Sequence, residues 1–293
     1  DNSHFLVYNS KKAYNNSSQF YYNQIINNNY KKIHLTKKNK KNIQNKNIFP
    51  IFVIGLPRSG STLIESILTS SKNNISSMGE CHVVNMSILE QIGPKIYVKD
   101  FNVSKFIFEI DIEMLNESIL SKYNQYNFFT SESSIIVDKS LENFFNIDLI
   151  LNIFPKARFL HTFRNPIDSI ISIYQSMLPE LSWAHSIEDI LAYIDNYFKV
   201  IDYYKSKYPS SIMDVDLEKF TNNSEDFSKK IYSFCNLSWD KDILNFYKRK
   251  NLNTKTLSFA QVRNKISKYN DKKYKPYFYM LDKYVKKYSW LNI

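Results

Sequence analysis

The feature that most constrains the fold is the turn Gly55-Leu56-Pro57-Arg58-Ser59-Gly60-Ser61-Thr62, set between an apolar run and a helical one. Before it, Phe49 to Gly55 (FPIFVIG) is short, branched and almost wholly apolar, the pattern of a buried strand. After it, Leu63, Ile64, Ile67 and Leu68 recur at helical spacing within Ser61–Ser70. Strand, tight turn and helix open a parallel α/β unit. The chain holds four glycines, Gly55, Gly60, Gly79 and Gly93, where ordinary usage of about 7% would supply roughly twenty. Two of them bracket this turn, so each fills a backbone need that other residues cannot meet. Such a turn aims several backbone N–H groups and the positive end of a helix at one point, which suits a phosphate. Ser59, Ser61 and Thr62 add hydroxyl donors, and Arg58 adds a planar, permanently charged fork. The plainer reading is a strand-to-helix turn in which Ser61 only caps the helix. Arg58 inside the turn, and glycine retained in so glycine-poor a chain, favour an anion site. The Walker form is absent because Gly60 is followed by Ser61 and no lysine is present, so a magnesium-dependent kinase or ATPase fits less well.

The same pattern recurs downstream. Ser140–Asn152 reads as a helix stopped by Pro155, Ala157–Phe163 as a second buried strand, and Ile167–Met177 as the helix after it. Ile187–Lys205 reads as a long helix, Ser211–Val215 as a third strand, and Phe227–Cys235 and Ile243–Tyr247 as helical. Tyr277–Trp290 reads as a helix with an aromatic face. Strands alternating with helices predict a P-loop-like three-layer α/β/α fold with a parallel central sheet. Residues 1–47, rich in Asn, Tyr and Lys, read as a helical N-terminal extension and basic linker, and 48–293 as one catalytic domain.

Charge and cysteine content narrow the function classes. The net charge is +11, and it is concentrated at two places. Tyr30–Asn47 carries seven lysines and no acid, and Asp240 to the end carries fourteen Lys/Arg against four Asp. Such charge suits an anionic partner, and a multiply charged small molecule fits better than nucleic acid. Two cysteines, Cys81 and Cys235, exclude a disulfide scaffold and a cysteine-rich zinc site. No His or Cys pair has metal-ligand spacing, so no metal is expected. Neither a signal peptide nor a membrane span is legible, and the expectation is a cytoplasmic protein.

Beyond the turn, further motifs stand in a definite order. Together they resemble the sulfotransferase superfamily, nearest to bacterial sulfotransferases that follow tetratricopeptide repeats and to the tyrosylprotein sulfotransferases. Pro57-Arg58-Ser59-Gly60-Ser61-Thr62 resembles the family's 5′-phosphosulfate loop. Arg164-Asn165-Pro166-Ile167-Asp168-Ser169, with Ser172 eight residues after Arg164, resembles its 3′-phosphate motif. Asp138-Lys139 resembles the Asp-Lys that opens the next helix, and Gly79-Glu80 the Gly-Glu after the first helix. Ser258-Phe259-Ala260-Gln261-Val262-Arg263, with Lys265 just beyond, resembles the segment that closes over the nucleotide. Two departures stand out. The family's Tyr-Glu-Asp-Leu is Leu217-Glu218-Lys219-Phe220 here, so the aromatic contact to adenine is missing or supplied elsewhere. The second of two successive glutamates in the tyrosylprotein enzymes is Cys81 here, which leaves Glu80.

The resemblance implies 3′-phosphoadenosine 5′-phosphosulfate as donor and an acceptor hydroxyl on protein tyrosine, carbohydrate or a small molecule. Arg58, Ser59, Gly60, Ser61, Thr62, Arg164, Ser172, Ser258, Arg263 and Lys265 are the expected donor-binding residues. Arg58 and Lys139 are the expected cations for the leaving oxygen, and Glu80 is the expected general base, with Cys81 and His82 as rivals. A structural alternative for Glu80 is an ion pair with Arg58 or Lys139 that merely orders the loop. Alternatives for the whole chain are a non-catalytic nucleotide-binding protein and a phosphotransferase on the same scaffold. The acceptor is expected among loops at Cys81–Thr130 and Pro179–Ser186.

Overall fold

The computed structural model describes residues 34–36, 48–96, 109–125, 135–249 and 261–292. The helices expected in the first 47 residues lie outside these, apart from a three-residue strand, β1 (His34–Thr36), within the basic connector. The elements that follow are β2 (Phe49–Gly55), α1 (Ser61–Thr69), β3 (Ile75–Gly79), α2 (Val83–Ile96), β4 (Glu109–Asp111), α3 (Ile112–Gln125) and β5 (Ile135–Asp138). Then come α4 (Ile147–Ile153), β6 (Arg158–Phe163), α5 (Pro166–Ser176), α6 (Ile187–Lys207), β7 (Ile212–Asp216), α7 (Leu217–Asn222) and α8 (Ser224–Phe234).

Five strands form one sheet in the order β3-β5-β2-β6-β7, parallel throughout. β2 is central because its residues are apolar on both sides. Ile51 and Val53 face one core with Ile64, Ile67 and Leu68 of α1 and Ile231 and Tyr232 of α8. Phe52 and Ile54 face the other, with Ile88 of α2, Leu149 of α4, Ile170 of α5 and Ile194 of α6. Alternate residues of one strand thus fill two separate cores, and the architecture is the expected helix–sheet–helix stack. β1 and β4 pair in parallel as a separate two-stranded ribbon.

Several elements depart from the sequence reading. The helix expected over Ser140–Asn152 is two pieces, a 3₁₀ turn at Leu141–Phe145 and α4. Asn146 between them has φ −110° and ψ 13°, which is not helical. The expected C-terminal helix is a 3₁₀ segment at Lys275–Tyr284. Leu281 and Tyr288 are buried there while Tyr277 and Tyr279 are exposed, so the aromatic face is only partly used. Much of the stretch expected to be acceptor loops, Cys81–Thr130, forms α2, β4 and α3, which line a cleft of about 410 Å³ through Glu90, Gln91, Lys95, Glu109 and Asp111.

Candidate active site at the β2 and β6 strand ends

Adjacent strands β2 and β6 send their following chain in opposite directions, one toward β3 and the other toward β7. In open α/β sheets the crevice between such strand ends is where ligands bind. Here the two strands approach so closely that a Cβ on Gly55 (φ 138°) would stand 2.2 Å from the Thr162 carbonyl oxygen. The turn then leaves β2 over this contact. Ser59 is buried; its hydroxyl donates to the Leu56 carbonyl (2.6 Å) and lies 2.8 Å from the Thr162 hydroxyl. That hydroxyl pins the loop rather than pointing outward, unlike the donor role expected for it. Gly60, with φ 90°, precedes α1, and no side chain caps the helix. The Gly60 carbonyl accepts from the Leu63 N–H (3.0 Å) and the Ile64 N–H (3.2 Å), which closes the first turn of α1. Ser61 and Thr62, the first two residues of α1, are buried. Leu217, which stands where the family has tyrosine, packs on Gly60: a Cβ there would meet Leu217 Cδ1 at 2.5 Å.

Arg58 has a left-handed φ of 66°, and its Nε donates to Ser172 Oγ on α5 at 3.4 Å. Burial lowers the Arg58 pKa, and the nearby positive charge of Arg164 lowers it further. Arg164 follows β6. Its guanidinium donates to the Asp168 carbonyl (2.9 Å) and to Ser169 Oγ (3.4 Å), and it lies 5.3 Å from the centre of the Tyr274 ring. The Asp168 carboxylate is engaged elsewhere, accepting from the Tyr269 hydroxyl. Burial works to raise the Tyr274 phenol, but the Ser172 hydrogen bond and the charges of Lys273 and Arg164 outweigh it and leave it below its ordinary value. Two arginines from motifs over a hundred residues apart therefore meet around Ser172 and Tyr274. Glu218 ties the neighbouring turn in by accepting from the Asn165 N–H (3.2 Å).

The second cluster lies at the ends of β3 and β5. Lys139 is fully buried, and its Nζ is 2.5 Å from Glu80 Oε1 and 3.7 Å from Glu65 Oε2. Gly79 ends β3, rather than following the first helix directly, and its carbonyl accepts from the Lys139 N–H (2.9 Å). Glu80 is 42% exposed while Glu65, in α1, is nearly sealed from solvent. Burial raises the Glu65 carboxyl, with Lys139 and Ser77 opposing it. The loop is held by Asp138, also fully buried, which accepts from Cys81 Sγ (3.3 Å), Tyr123 OH (3.1 Å) and the Ser140 N–H (2.8 Å).

This geometry weighs against both rival bases. Burial and the Asp138 charge push the Cys81 thiol far above its usual range. The hydrogen bond to Glu142 raises His82 to about 9, so at neutral pH it already carries its proton. The remaining predicted residues are dispersed. Ser258 lies outside the described residues. Arg263 and Lys265 are exposed, and Val262 between Gln261 and Arg263 anchors that segment in the core beside α1. His161 packs in the sheet against Asp214 (2.7 Å) and Tyr197. Sequence reasoning missed Glu65, Thr162, Tyr269 and Tyr274. The first left a signal, being the one charged residue in Ser61–Thr69. Among the described residues no cluster suits a metal ion, and no helix is long and apolar enough to cross a membrane.

Residues 50–241 match a family model described as the sulfotransferase family. An uncharacterized protein of Aquifex aeolicus (strain VF5) is 30% identical over 240 residues, covering 78% of this chain and 30% of that protein. The chain thus spans under a third of the length of this curated relative. Among solved structures, the sulfotransferase domain of the Synechococcus PCC 7002 olefin synthase has a TM-score of 0.50 at 17% identity, over 79% of this chain and 88% of that one. The sulfotransferase domain of the curacin biosynthetic pathway has a TM-score of 0.49 at 17% identity, over 74% and 83%.

Proposed function

The chain belongs to the sulfotransferase family, and we propose that it moves a sulfuryl group from 3′-phosphoadenosine 5′-phosphosulfate to an acceptor hydroxyl. The observation that carries this reading is the meeting of Arg58 and Arg164 around Ser172 at the ends of β2 and β6. Two like charges held together gain from an anion between them, and a nucleotide with phosphate at both the 3′ and 5′ positions supplies one at each end of the crevice. Arg164 and Ser172 would grip the 3′-phosphate. The turn from Arg58 to Thr62 would hold the 5′-phosphosulfate, with Ser258, Arg263 and Lys265 closing over the nucleotide. We assign residues 48–293 to this catalytic domain and 1–47 to a helical extension and linker.

In the transfer, Glu80 takes the acceptor's proton as the oxygen–sulfur bond forms. The bond from sulfur to the 5′-phosphate oxygen breaks, and its electron pair stays on that oxygen, where Lys139 and Arg58 offset the charge. The products are a sulfate ester and adenosine 3′,5′-bisphosphate. The acceptor class, whether protein tyrosine, carbohydrate or small molecule, is read by mass spectrometry of sulfated products. The test of the donor is calorimetry with adenosine 3′,5′-bisphosphate, adenosine 5′-monophosphate and ATP with magnesium. A forked contact to the 3′-phosphate is worth about 1.5–3 kcal/mol, so Arg164→Ala weakens the bisphosphate by at least about tenfold and leaves the monophosphate unchanged. Tighter binding of ATP that requires magnesium would overturn the proposal.

A further inference from the structure

Lys139 does not stand between a base and a donor alone; it also leans on a third group that the transfer reaction itself does not call for. Glu65 sits in α1 three residues after Thr62, on the helix that presents the phosphate loop. Its Oε2 is 3.7 Å from Lys139 Nζ, and its Oε1 accepts from Ser77 Oγ in β3 at 2.7 Å. One carboxylate thereby ties together α1, β3 and the end of β5. The exposures differ sharply: Lys139 and Glu65 are sealed at 0% and 3%, while Glu80, on the other side of the same ammonium, is 42% exposed. Two carboxylates share one cation, and only one of them is open to an acceptor.

We propose that Glu65 is a positioning residue that holds Lys139 in place while Glu80 takes up and releases the acceptor's proton. This rests on the sulfuryl-transfer reading above. With Glu80 ionised, Lys139 has two partners. When Glu80 gains a proton, the cation would be left buried without a counter-charge were Glu65 not there. Glu65 keeps it paired, so proton uptake by Glu80 does not expel Lys139 from the site, and the ammonium is freed from Glu80 as the leaving oxygen becomes negative. Glu80 contacts Lys139 just after β5, and its charge is felt by Glu65 of α1 and by His82 in its own loop. Of these, Glu65 is the acid that contacts Lys139 directly.

The experiment is the measurement of kcat and donor KM for the wild type, Glu65→Gln and Glu65→Asp, together with calorimetric binding of adenosine 3′,5′-bisphosphate. Removing the Glu65 charge leaves the buried Lys139 without a counter-charge once Glu80 has taken up the proton, so kcat falls severalfold while the donor KM holds. Glu65→Asp, with its carboxylate drawn back by one methylene, lowers kcat by less. Bisphosphate affinity holds in both variants, since Glu65 does not touch the donor. A kcat that stays at the wild-type value in whichever variant folds, with bisphosphate binding intact, overturns the inference and leaves the transfer reading standing. A wild type that neither binds the bisphosphate nor yields a sulfated product overturns the transfer reading, and this inference with it.

Discussion

Replacing Gly60 by alanine sets a methyl carbon 2.5 Å from Cδ1 of Leu217, at a residue whose φ is 90°. The left-handed conformation costs an L-residue about 1–2 kcal/mol, and the contact adds about 1–3 kcal/mol of overpacking. The obstacle is the far end of a half-buried side chain, so shortening it removes the second part. Leu217→Ala alone costs about 2 kcal/mol, the low end of the range for buried leucine. In the double variant the methyl has room, and the loss is smaller than the sum of the singles by about 1–3 kcal/mol. Gly55 is the control. Its added Cβ would stand 2.2 Å from a backbone carbonyl, that of Thr162, so no side-chain truncation relieves it and Gly55→Ala prises β2 from β6. Urea unfolding with unchanged m-values measures all four chains. Strict additivity of Gly60→Ala and Leu217→Ala would refute the argument that Leu217 closes the phosphate loop by contact.

Other outcomes follow from the same geometry. Lys139→Met strands the sealed Glu65 carboxylate and lowers stability by about 3–5 kcal/mol, and Glu65→Gln in the same chain recovers most of it; no recovery in urea unfolding would mean the two do not interact. His82 has a folded pKa of about 9 against an ordinary 6.5, so the stability it draws from Glu142 is fully present below 6.5 and is lost as pH rises through 9. The melting-temperature gap between wild type and Glu142→Gln is therefore widest near pH 6 and closes by pH 10; a gap that is flat with pH contradicts the pairing. Tyr274→Phe keeps the ring beside Arg164 and holds bisphosphate affinity to within about threefold, whereas Tyr274→Ala loses a cation–π contact worth about 0.5–2 kcal/mol and weakens binding more, as calorimetry would read.

What was legible in the sequence is what is encoded locally. Phe49–Gly55 announced itself because a central strand is apolar on both faces, and Ser61–Thr69 because its apolar residues keep helical spacing. β3 was not, because it is an edge strand whose Ile-Ser-Ser-Met-Gly carries polar residues and no apolar run. β5 has only four residues, too few to separate from its surroundings. The break at Asn146 was hidden by apolar residues that continue past it on both sides. In the site, Arg58 and Arg164 were legible because each stands beside a recognisable strand end, and Lys139 through the Asp138-Lys139 pair that carries the resemblance. Their partners were not. Glu65 meets Lys139, and Tyr274 meets Arg164, across long stretches of chain, and nothing in the local pattern of either residue reports the other.

The strand order also sets a timetable for synthesis. β2 is the middle of the sheet, yet both of its neighbours are made much later: Ile51 waits for Val137 on one side and Arg158 on the other. At about 5–20 residues per second, translation leaves β2 without its second neighbour for roughly 5–20 s. During that time the nascent chain displays Phe-Pro-Ile-Phe-Val-Ile with both edges open, a segment well suited to pairing with another chain. Pro50, lacking an N–H, removes one donor at the entrance of that segment. The interval ends when β6 arrives, and the arrival that pairs the second edge of β2 also brings up Arg164 at the crevice.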